Sequence, residues 1–245
     1  AADKGLILLP CELIADNGIE LKKCIMKFIE LWGLEDGFKD WVNKYCSFCP
    51  TLVDRIVPGY PREDAAKLCE EWGYEDQFID RAEVFGLWVV ESDSNLPLEQ
   101  LEKELPFKEA GLNVVFTKDH HPYKERKVRI LNGSHTSFVL ASFLAGNDNV
   151  ENSMKDPVIR KYMEETLYNE VIPTLSLSKE DCEEFAKAVI DRFLNPFVDH
   201  RLLSISLNSV SKWEARCLPS FLGYVKKFDK LPKYLTFSIA ALMSF

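Results

Sequence analysis

The sequence predicts a mainly α-helical domain that carries a small β-hairpin or sheet and is preceded by a separate strand. Most of the chain has apolar residues at helical spacing, with prolines or glycines near the ends of each segment. Only two internal segments, 84–90 and 113–117, are short, β-branched and aromatic. The 245 residues allow one large domain or two small ones.

The elements follow from local patterns in chain order. Residues 5–13 begin with a short apolar run punctuated by Pro10, which predicts a strand, and we expect this strand to belong to a domain that precedes the helical one. Segments 84–90 and 113–117 are expected to pair as a small sheet. Helical spacing predicts helices over 17–32, 35–46, 64–72, 121–144, 156–172, 178–194, 198–207, 211–228 and 232–245. Pro219 lies inside one of them and is expected to kink it.

Composition excludes several classes of protein. The net charge is −9 and no basic stripe is present, which argues against nucleic-acid binding. No uncharged apolar run of about 18 residues exists, so no membrane partner is expected. Seven cysteines, an odd number, indicate free thiols in a reducing cytoplasm. Cys46 and Cys49 have C-x-x-C spacing, but no second pair follows, and we expect no metal site and interpret the spacing as chance.

The most informative segment contains Lys127, Asn132 and His135. By the α-helical period, Asn132 lies about 140° and His135 about 80° around the axis from Lys127, so all three fit one broad face. A lysine can exchange a proton, an amide N–H can hold an alkoxide, and an imidazole can orient either group. The structural alternative is a solvated lysine, an irregularity at Asn132-Gly133 and a core histidine.

Four blocks give these residues a context. They are Pro10–Gly18 with Asn17, Thr51–Pro58 with Asp54, Lys127–His135 in the pattern K-x-x-x-x-N-x-x-H, and Asn208–Pro219 with Lys212 and Arg216. Together, and in this order, they resemble the mannitol dehydrogenase family of polyol-specific long-chain dehydrogenases. The sequence departs from the mannitol pattern at Glu12, Leu13, Lys124 and Asn208-Ser209, and it is more similar to members that interconvert a keto-hexuronate and its aldonate with NAD.

The resemblance implies roles for individual residues. Lys127 would be the general acid and base, Asn132 with Asn17 would form an oxyanion hole, and His135 would orient the lysine or a hydroxyl group. The substrate would be a small sugar acid. Candidates for its hydroxyl and carboxylate groups are Asp54, Lys212, His200, Arg201 and Arg216. Asn17 precedes Gly18, however, and this dipeptide is equally typical of a tight turn.

The resemblance also implies a domain organisation. Residues 1–15 would end a Rossmann-like dinucleotide-binding domain, and residues 16–245 would form a helical substrate-binding and catalytic domain like the C-terminal domain of 6-phosphogluconate dehydrogenase. No G-x-G-x-x-G fingerprint is present, so the main NAD contacts are expected outside this chain, which alone should be nearly inactive. Fructuronate- or mannitol-specific activity, and a helical interaction domain without catalysis, remain the alternatives.

Overall fold

The structure is a computed structural model that describes residues 4–57, 59–197 and 200–245. The chain forms two compact units: unit 1 contains Ala1–Ile56 and Val84–Tyr123, and unit 2 contains Val57–Glu83 and Lys124–Phe245. This division differs from the sequence-based boundary at residue 15. Residues on both sides of that position share unit 1, because the first strand pairs with a strand that follows it.

Unit 1 contains short helices and two small sheets. Its elements are β1 (Ile7–Leu8), α1 (Asn17–Leu31), α2 (Asp36–Tyr45), β2 (Ser47–Phe48), β3 (Thr51–Asp54), β4 (Leu87–Glu91), α4 (Leu98–Glu104), β5 (Val114–Thr117) and the start of α5 (His121–Arg126). The strand predicted over 5–13 is reduced to β1. The carbonyls of Pro10 and Glu12 instead accept hydrogen bonds from the side chain of Asn17.

The predicted pairing of segments 84–90 and 113–117 is confirmed, with a third strand added. The sheet has the order β3-β4-β5, in which β4 runs antiparallel to β3 and parallel to β5. The parallel pair excludes a simple hairpin. The sheet and α4 enclose one apolar cluster, and α1, α2 and β2 enclose another. Neither β3 nor α4 was predicted, because each is too short for a clear periodicity.

Unit 2 is almost entirely helical, so the chain as a whole is mainly helical with a small sheet, as predicted. Its elements are α3 (Ala65–Trp72), the rest of α5, a first π-helix (Lys127–Asn132), α6 (Gly133–Leu144), α7 (Val150–Lys155), α8 (Pro157–Glu165), a second π-helix (Thr166–Val171), a 3₁₀ turn (Ile172–Thr174), α9 (Lys179–Phe193), α10 (Leu202–Ser206), α11 (Ser209–Arg216), α12 (Leu218–Phe228) and α13 (Lys233–Ser244). No helix in the described ranges is long and apolar enough to cross a bilayer.

Three of the predicted helices of unit 2 differ from the structure. The segments 121–144 and 156–172 each contain a π-helix, and the segment 211–228 is two helices that meet at Cys217. Pro219 lies in the first turn of α12 rather than inside a longer helix, where its missing N–H costs nothing. The segment predicted over 198–207 contains α10, and its first two residues lie outside the described residues.

One apolar core holds unit 2 together. It is built mainly from α6, α8, α9 and α13, and Phe138, Met163 and Leu235 are among its completely buried members. The buried carboxylate of Glu170 accepts hydrogen bonds from the backbone N–H groups of Tyr234 and Leu235, both at 2.8 Å. It thereby caps the N-terminus of α13, where a negative charge is favoured.

Candidate active site

The first π-helix carries the two central candidate residues. Lys127 is its first residue and Asn132 its last. A π-helix closes i→i+5 hydrogen bonds, so residues five apart lie about one turn from each other. The α-helical estimate that placed Asn132 well around the axis from Lys127 was therefore wrong, since the π-helix aligns the two positions on one face more closely. The irregularity at Asn132-Gly133, which the structural alternative expected, is the junction between the π-helix and α6.

Gly133 allows another helix to approach this junction. A Cβ atom there would lie 3.3 Å from the carbonyl oxygen of Arg216 and 3.4 Å from that of Val128. The thiol of Cys217 also donates to the carbonyl of Gly133, at 3.5 Å. The C-terminal end of α11 is therefore packed directly against the end of the π-helix, and a glycine is the residue that fits.

His135 lies one turn further on and is buried. Its ring centroid is 4.2 Å from that of Phe193 and 5.0 Å, edge-on, from that of His200. Its Nε2 atom is buried without a hydrogen-bond partner among the described residues. Burial holds the pKa of His135 well below 6.5, and the positive charges of His200, Arg216, Arg192 and Lys212 lower it further. The imidazole is therefore neutral at pH 7, with one nitrogen left for a ligand.

Cations gather around this histidine. Lys212, on α11, donates from Nζ to the carbonyl of Ile205 at 2.8 Å, and Arg216 donates from Nη1 to Oγ1 of Thr136 at 3.4 Å. Burial lowers the pKa of both side chains, and the charge of Arg216 lowers that of Lys212 further. His200 belongs to the same group through its contact with His135. Arg201 is exposed at the start of α10, and its part in the site stays a prediction.

Asn17 and Asp54 belong to unit 1, whereas the other candidate residues belong to unit 2. The Nδ2 group of Asn17 donates to the carbonyls of Pro10, Glu12 and Thr51 at 2.8, 3.2 and 3.1 Å. Its Oδ1 atom accepts from the N–H groups of Gly18 and Thr51, both at 2.9 Å. The side-chain amide of Asn17 therefore links the turn before α1 to β3, as the structural alternative expected. Its catalytic role stays a prediction.

Asp54 is the last residue of β3 and lies opposite Leu87 of β4. Its side chain is almost completely buried, with a relative exposure of 1%. A carboxylate buried this deeply requires polar partners among its neighbours. Its contact with a substrate hydroxyl stays a prediction.

Sequence analysis missed a buried ion pair in unit 2. Arg192 on α9 donates to Glu83 from Nε at 3.0 Å and from Nη2 at 2.8 Å, in a two-pronged contact between residues 109 positions apart. Both side chains are almost fully buried. Arg192 also contributes to the positive field at His135. No local sequence pattern predicts such a pair, because its two members are so distant in the chain.

The cysteines form no disulfide bonds in the structure. All seven are free thiols. Cys46 and Cys49, which have C-x-x-C spacing, are both buried, and burial together with the charge of Asp93 raises the pKa of Cys49 to about 12. A thiol with so high a pKa is a poor nucleophile near neutrality. The chance interpretation of this spacing therefore has support in the structure.

Comparisons with known proteins give the family of the chain. A model described as the mannitol dehydrogenase Rossmann domain matches residues 1–103, and one described as the mannitol dehydrogenase C-terminal domain matches residues 119–245. The chain belongs to the mannitol dehydrogenase family. The Rossmann-domain match extends far beyond residue 15, where sequence analysis ended that domain.

Within the family, similarity extends over the whole chain. Altronate oxidoreductase of Pectobacterium atrosepticum (strain SCRI 1043) is 48% identical and that of Escherichia coli O6:K15:H31 is 46% identical, both over all 245 residues. The chain spans about half the length of these relatives, 49% and 50% respectively.

Solved structures agree in fold. A substrate-free D-sorbitol dehydrogenase superposes with a TM-score of 0.81 at 24% identity, over 97% of this chain and 47% of that one. Mannitol 2-dehydrogenase of Pseudomonas fluorescens, in a ternary complex with NAD and D-mannitol, superposes with a TM-score of 0.68 at 25% identity, over 96% of this chain and 46% of that one.

Proposed function

We propose that the protein containing this chain interconverts tagaturonate and altronate as an NAD-dependent oxidoreductase. The observation that carries the proposal is the 46–48% identity to altronate oxidoreductases over the whole chain. The site supports it physically, because partly buried cations lie around a neutral histidine next to the π-helix that bears a lysine and an amide. The substrate is an anion, and the chain is acidic overall, so local cations must provide its binding site.

The carboxylate of the substrate is the proposed partner of Lys212 and Arg216. Both cations are partly desolvated, which strengthens their interaction with an anion. Arg216 offers a planar fork that matches a carboxylate, and its contact with Thr136, at 3.4 Å, is long enough to exchange for a stronger one. His200 and Arg201 are proposed to contact hydroxyl groups of the sugar acid.

The reacting oxygen is the proposed partner of Lys127 and Asn132. Reduction of a ketone leaves an alkoxide that must be stabilised and protonated. Lys127 would donate the proton, and in the reverse direction it would accept one. The side-chain amide of Asn132 makes no hydrogen bond to the residues that the structure describes, so its N–H is available to the oxygen. His135, neutral and with a free Nε2, would orient the lysine or a substrate hydroxyl.

Nicotinamide chemistry would provide the hydride, and the family match to a Rossmann domain supports such a cofactor. Among the described residues, the turn before α1 has no space for the diphosphate of NAD. The turn before α1 is filled by its own backbone, since a Cβ on Gly18 would lie 2.7 Å from the nitrogen of Pro50. We propose that residues outside this chain bind the diphosphate.

Substrate identity is tested by NADH oxidation with the complete protein. Tagaturonate, fructuronate and fructose are compared at equal concentration, and we expect kcat/KM to be highest for tagaturonate. A higher kcat/KM for fructuronate or fructose would contradict the proposed substrate and indicate the specificity of another branch of the family. Absence of turnover with every keto-sugar, in a folded protein, would favour a helical interaction domain without catalysis.

Carboxylate recognition is tested separately with Lys212→Met and Arg216→Met. The ratio of kcat/KM for tagaturonate to that for uncharged tagatose should fall by about 10- to 100-fold in at least one variant, because a charged hydrogen bond contributes about 1.5–3 kcal/mol. Lys187→Met, an exposed lysine on α9, is the control. Equal ratios in the wild type and both variants would contradict the assignment.

A further inference from the structure

A cluster of two histidines and three carboxylates lies in unit 1, apart from the residues assigned above. His120 and His121 follow β5 at the start of α5, and Asp16 directly precedes α1. The Nε2 atom of His121 is 3.0 Å from Oδ1 of Asp16, and that of His120 is 3.6 Å from the same oxygen. Asp119 and Glu91 complete the cluster. We propose that Asp16, His120 and His121 bind a divalent transition-metal ion, with Zn²⁺ the best fit.

The spacing of the donor atoms matches a metal site. The three donor atoms all lie within 4.8 Å of one another. Zn²⁺ bonds to nitrogen and oxygen at about 2.0–2.1 Å, so tetrahedral ligand atoms lie roughly 3.3 Å apart. The two separations from the Asp16 oxygen, 3.0 and 3.6 Å, lie on either side of that value. Two imidazoles and one carboxylate leave a fourth position for water or another ligand.

The other nitrogen of each histidine is held by a carboxylate. Nδ1 of His120 lies 2.7 Å from Oε2 of Glu91, and Nδ1 of His121 lies 2.7 Å from Oδ1 of Asp119. A proton on each Nδ1 leaves the lone pair on Nε2, which is the form that binds a metal. Carboxylate–histidine–metal arrangements of this kind orient the ring and raise its basicity as a ligand. The cluster therefore has both ligands and their supporting partners.

A proton alone fits this geometry less well than a metal ion. Oδ1 of Asp16 is buried and accepts no hydrogen bond from the described residues, although two Nε2 atoms lie nearby. A hydrogen bond needs the N–H to point at the oxygen. A tetrahedral ion lies off the line between its ligands, so it satisfies all three atoms without that alignment.

Backbone geometry and exposure agree with a ligand site. Asp16 has φ 52°, a left-handed conformation that aspartate adopts more readily than most residues other than glycine. His120 is buried, with a relative exposure of 2%, whereas the side chain of His121 is largely exposed. The side of the site formed by His120 is thus buried, and the side formed by His121 is accessible to an ion. Bound metal would connect the start of α1 to the end of β5.

Metal binding is tested directly on the chelator-treated chain, independently of any enzymatic activity. Zn²⁺ is titrated by calorimetry, and Co²⁺ is added as a spectroscopic probe. We expect one equivalent of Zn²⁺ to bind, a rise in Tm on binding, and visible Co²⁺ absorption typical of low coordination number. A dissociation constant weaker than about 100 μM for both ions would overturn the proposal, since it would correspond to less than about 5.5 kcal/mol of binding.

Three conservative variants locate the site. Asp16→Asn keeps a residue that tolerates the left-handed conformation, and His121→Gln changes an exposed side chain, so both should fold. Each should weaken Zn²⁺ binding at least 100-fold, and Glu91→Gln should weaken it about 10- to 100-fold through the lost support of His120. Asp229→Asn, which changes an aspartate with the same φ of 52° outside the cluster, should bind as the wild type does. Unchanged affinity in both Asp16→Asn and His121→Gln would refute the site.

Discussion

The molecule contains two Asn-Gly pairs that do different work. Asn17-Gly18 starts α1 in unit 1, and Asn132-Gly133 ends the first π-helix in unit 2. Each glycine allows close backbone packing, yet the two amides differ. The amide of Asn17 is consumed by five hydrogen bonds to the backbone, whereas that of Asn132 makes none with the described residues. The same dipeptide can therefore fix a fold or leave a polar group available for chemistry.

The largest expected effect concerns the residue that opens the π-helix. Lys127→Ala in the complete protein should lower kcat by about 10²- to 10⁴-fold, the range typical of a lost general acid. Its free energy of unfolding should change little, because the side chain is only half-buried. Steady-state kinetics and urea unfolding measure the two quantities, with Lys187→Ala as the control. An unchanged kcat would show that Lys127 is not the general acid.

Replacement of Asn17 should mainly reduce stability, whereas replacement of Asn132 should mainly reduce kcat. Asn17→Ala should lower the free energy of unfolding by about 3 kcal/mol or more, because it leaves several buried backbone groups unpaired. Asn132→Ala should lower it by less than about 1 kcal/mol but reduce kcat by roughly 10²-fold or more. Urea denaturation and kinetics of both variants test this. Equal loss of stability would show that the two amides have the same role.

The glycines provide a third comparison. At Gly18 an added Cβ would meet backbone atoms of Phe48, Cys49 and Pro50 at 2.7–2.8 Å, whereas at Gly133 its closest contact would be 3.3 Å. We expect Gly18→Ala to destabilise unit 1 by about 3 kcal/mol and Gly133→Ala to destabilise unit 2 by about 1 kcal/mol. Gly37→Ala in α2, with nothing within 4 Å, should be neutral or stabilising. A reversed order would contradict the packing described at both junctions.

The smallest effect depends on pH. The pKa of His135 is depressed in the folded protein, so the unfolded chain binds a proton first as the pH falls below 6.5. The stability from its neutral form is complete above that pH and is lost between 6.5 and the lower folded pKa. From pH 7.5 to 5.5 the wild type should lose about 1 kcal/mol more than His135→Phe. Identical pH dependence, or an NMR titration of His135 near pH 6.5, would contradict this.

The limits of prediction follow from the range of the interactions. Helical periodicity was enough to predict α1, α2, α9 and α13 to within about one residue at each end. The π-helix was not predictable, since apolar periodicity does not distinguish one π-helical turn from the α-helix around it. The Glu83–Arg192 pair and the Asp16–His120–His121 cluster join residues far apart in the chain, so no spacing rule could find them.

Among the candidate site residues, the grouping of His135, His200, Lys212 and Arg216 agrees with what sequence analysis expected for one site. Their functional roles stay predictions. Asn17 illustrates why a matching motif is not sufficient: the same amide satisfies a turn through its own hydrogen bonds, and only coordinates reveal how many of its donors are already used.

The discontinuity of unit 1 has a practical consequence for dissecting the protein. The polypeptide leaves unit 1 after Ile56, contributes Val57–Glu83 to unit 2, and returns at Val84 before its final departure after Tyr123. No single proteolytic cut can therefore release either unit whole. During synthesis on the ribosome, the three-stranded sheet cannot form until β4 and β5 have emerged after β3. To produce unit 1 alone, one would have to delete Val57–Glu83 and join Ile56 to Val84.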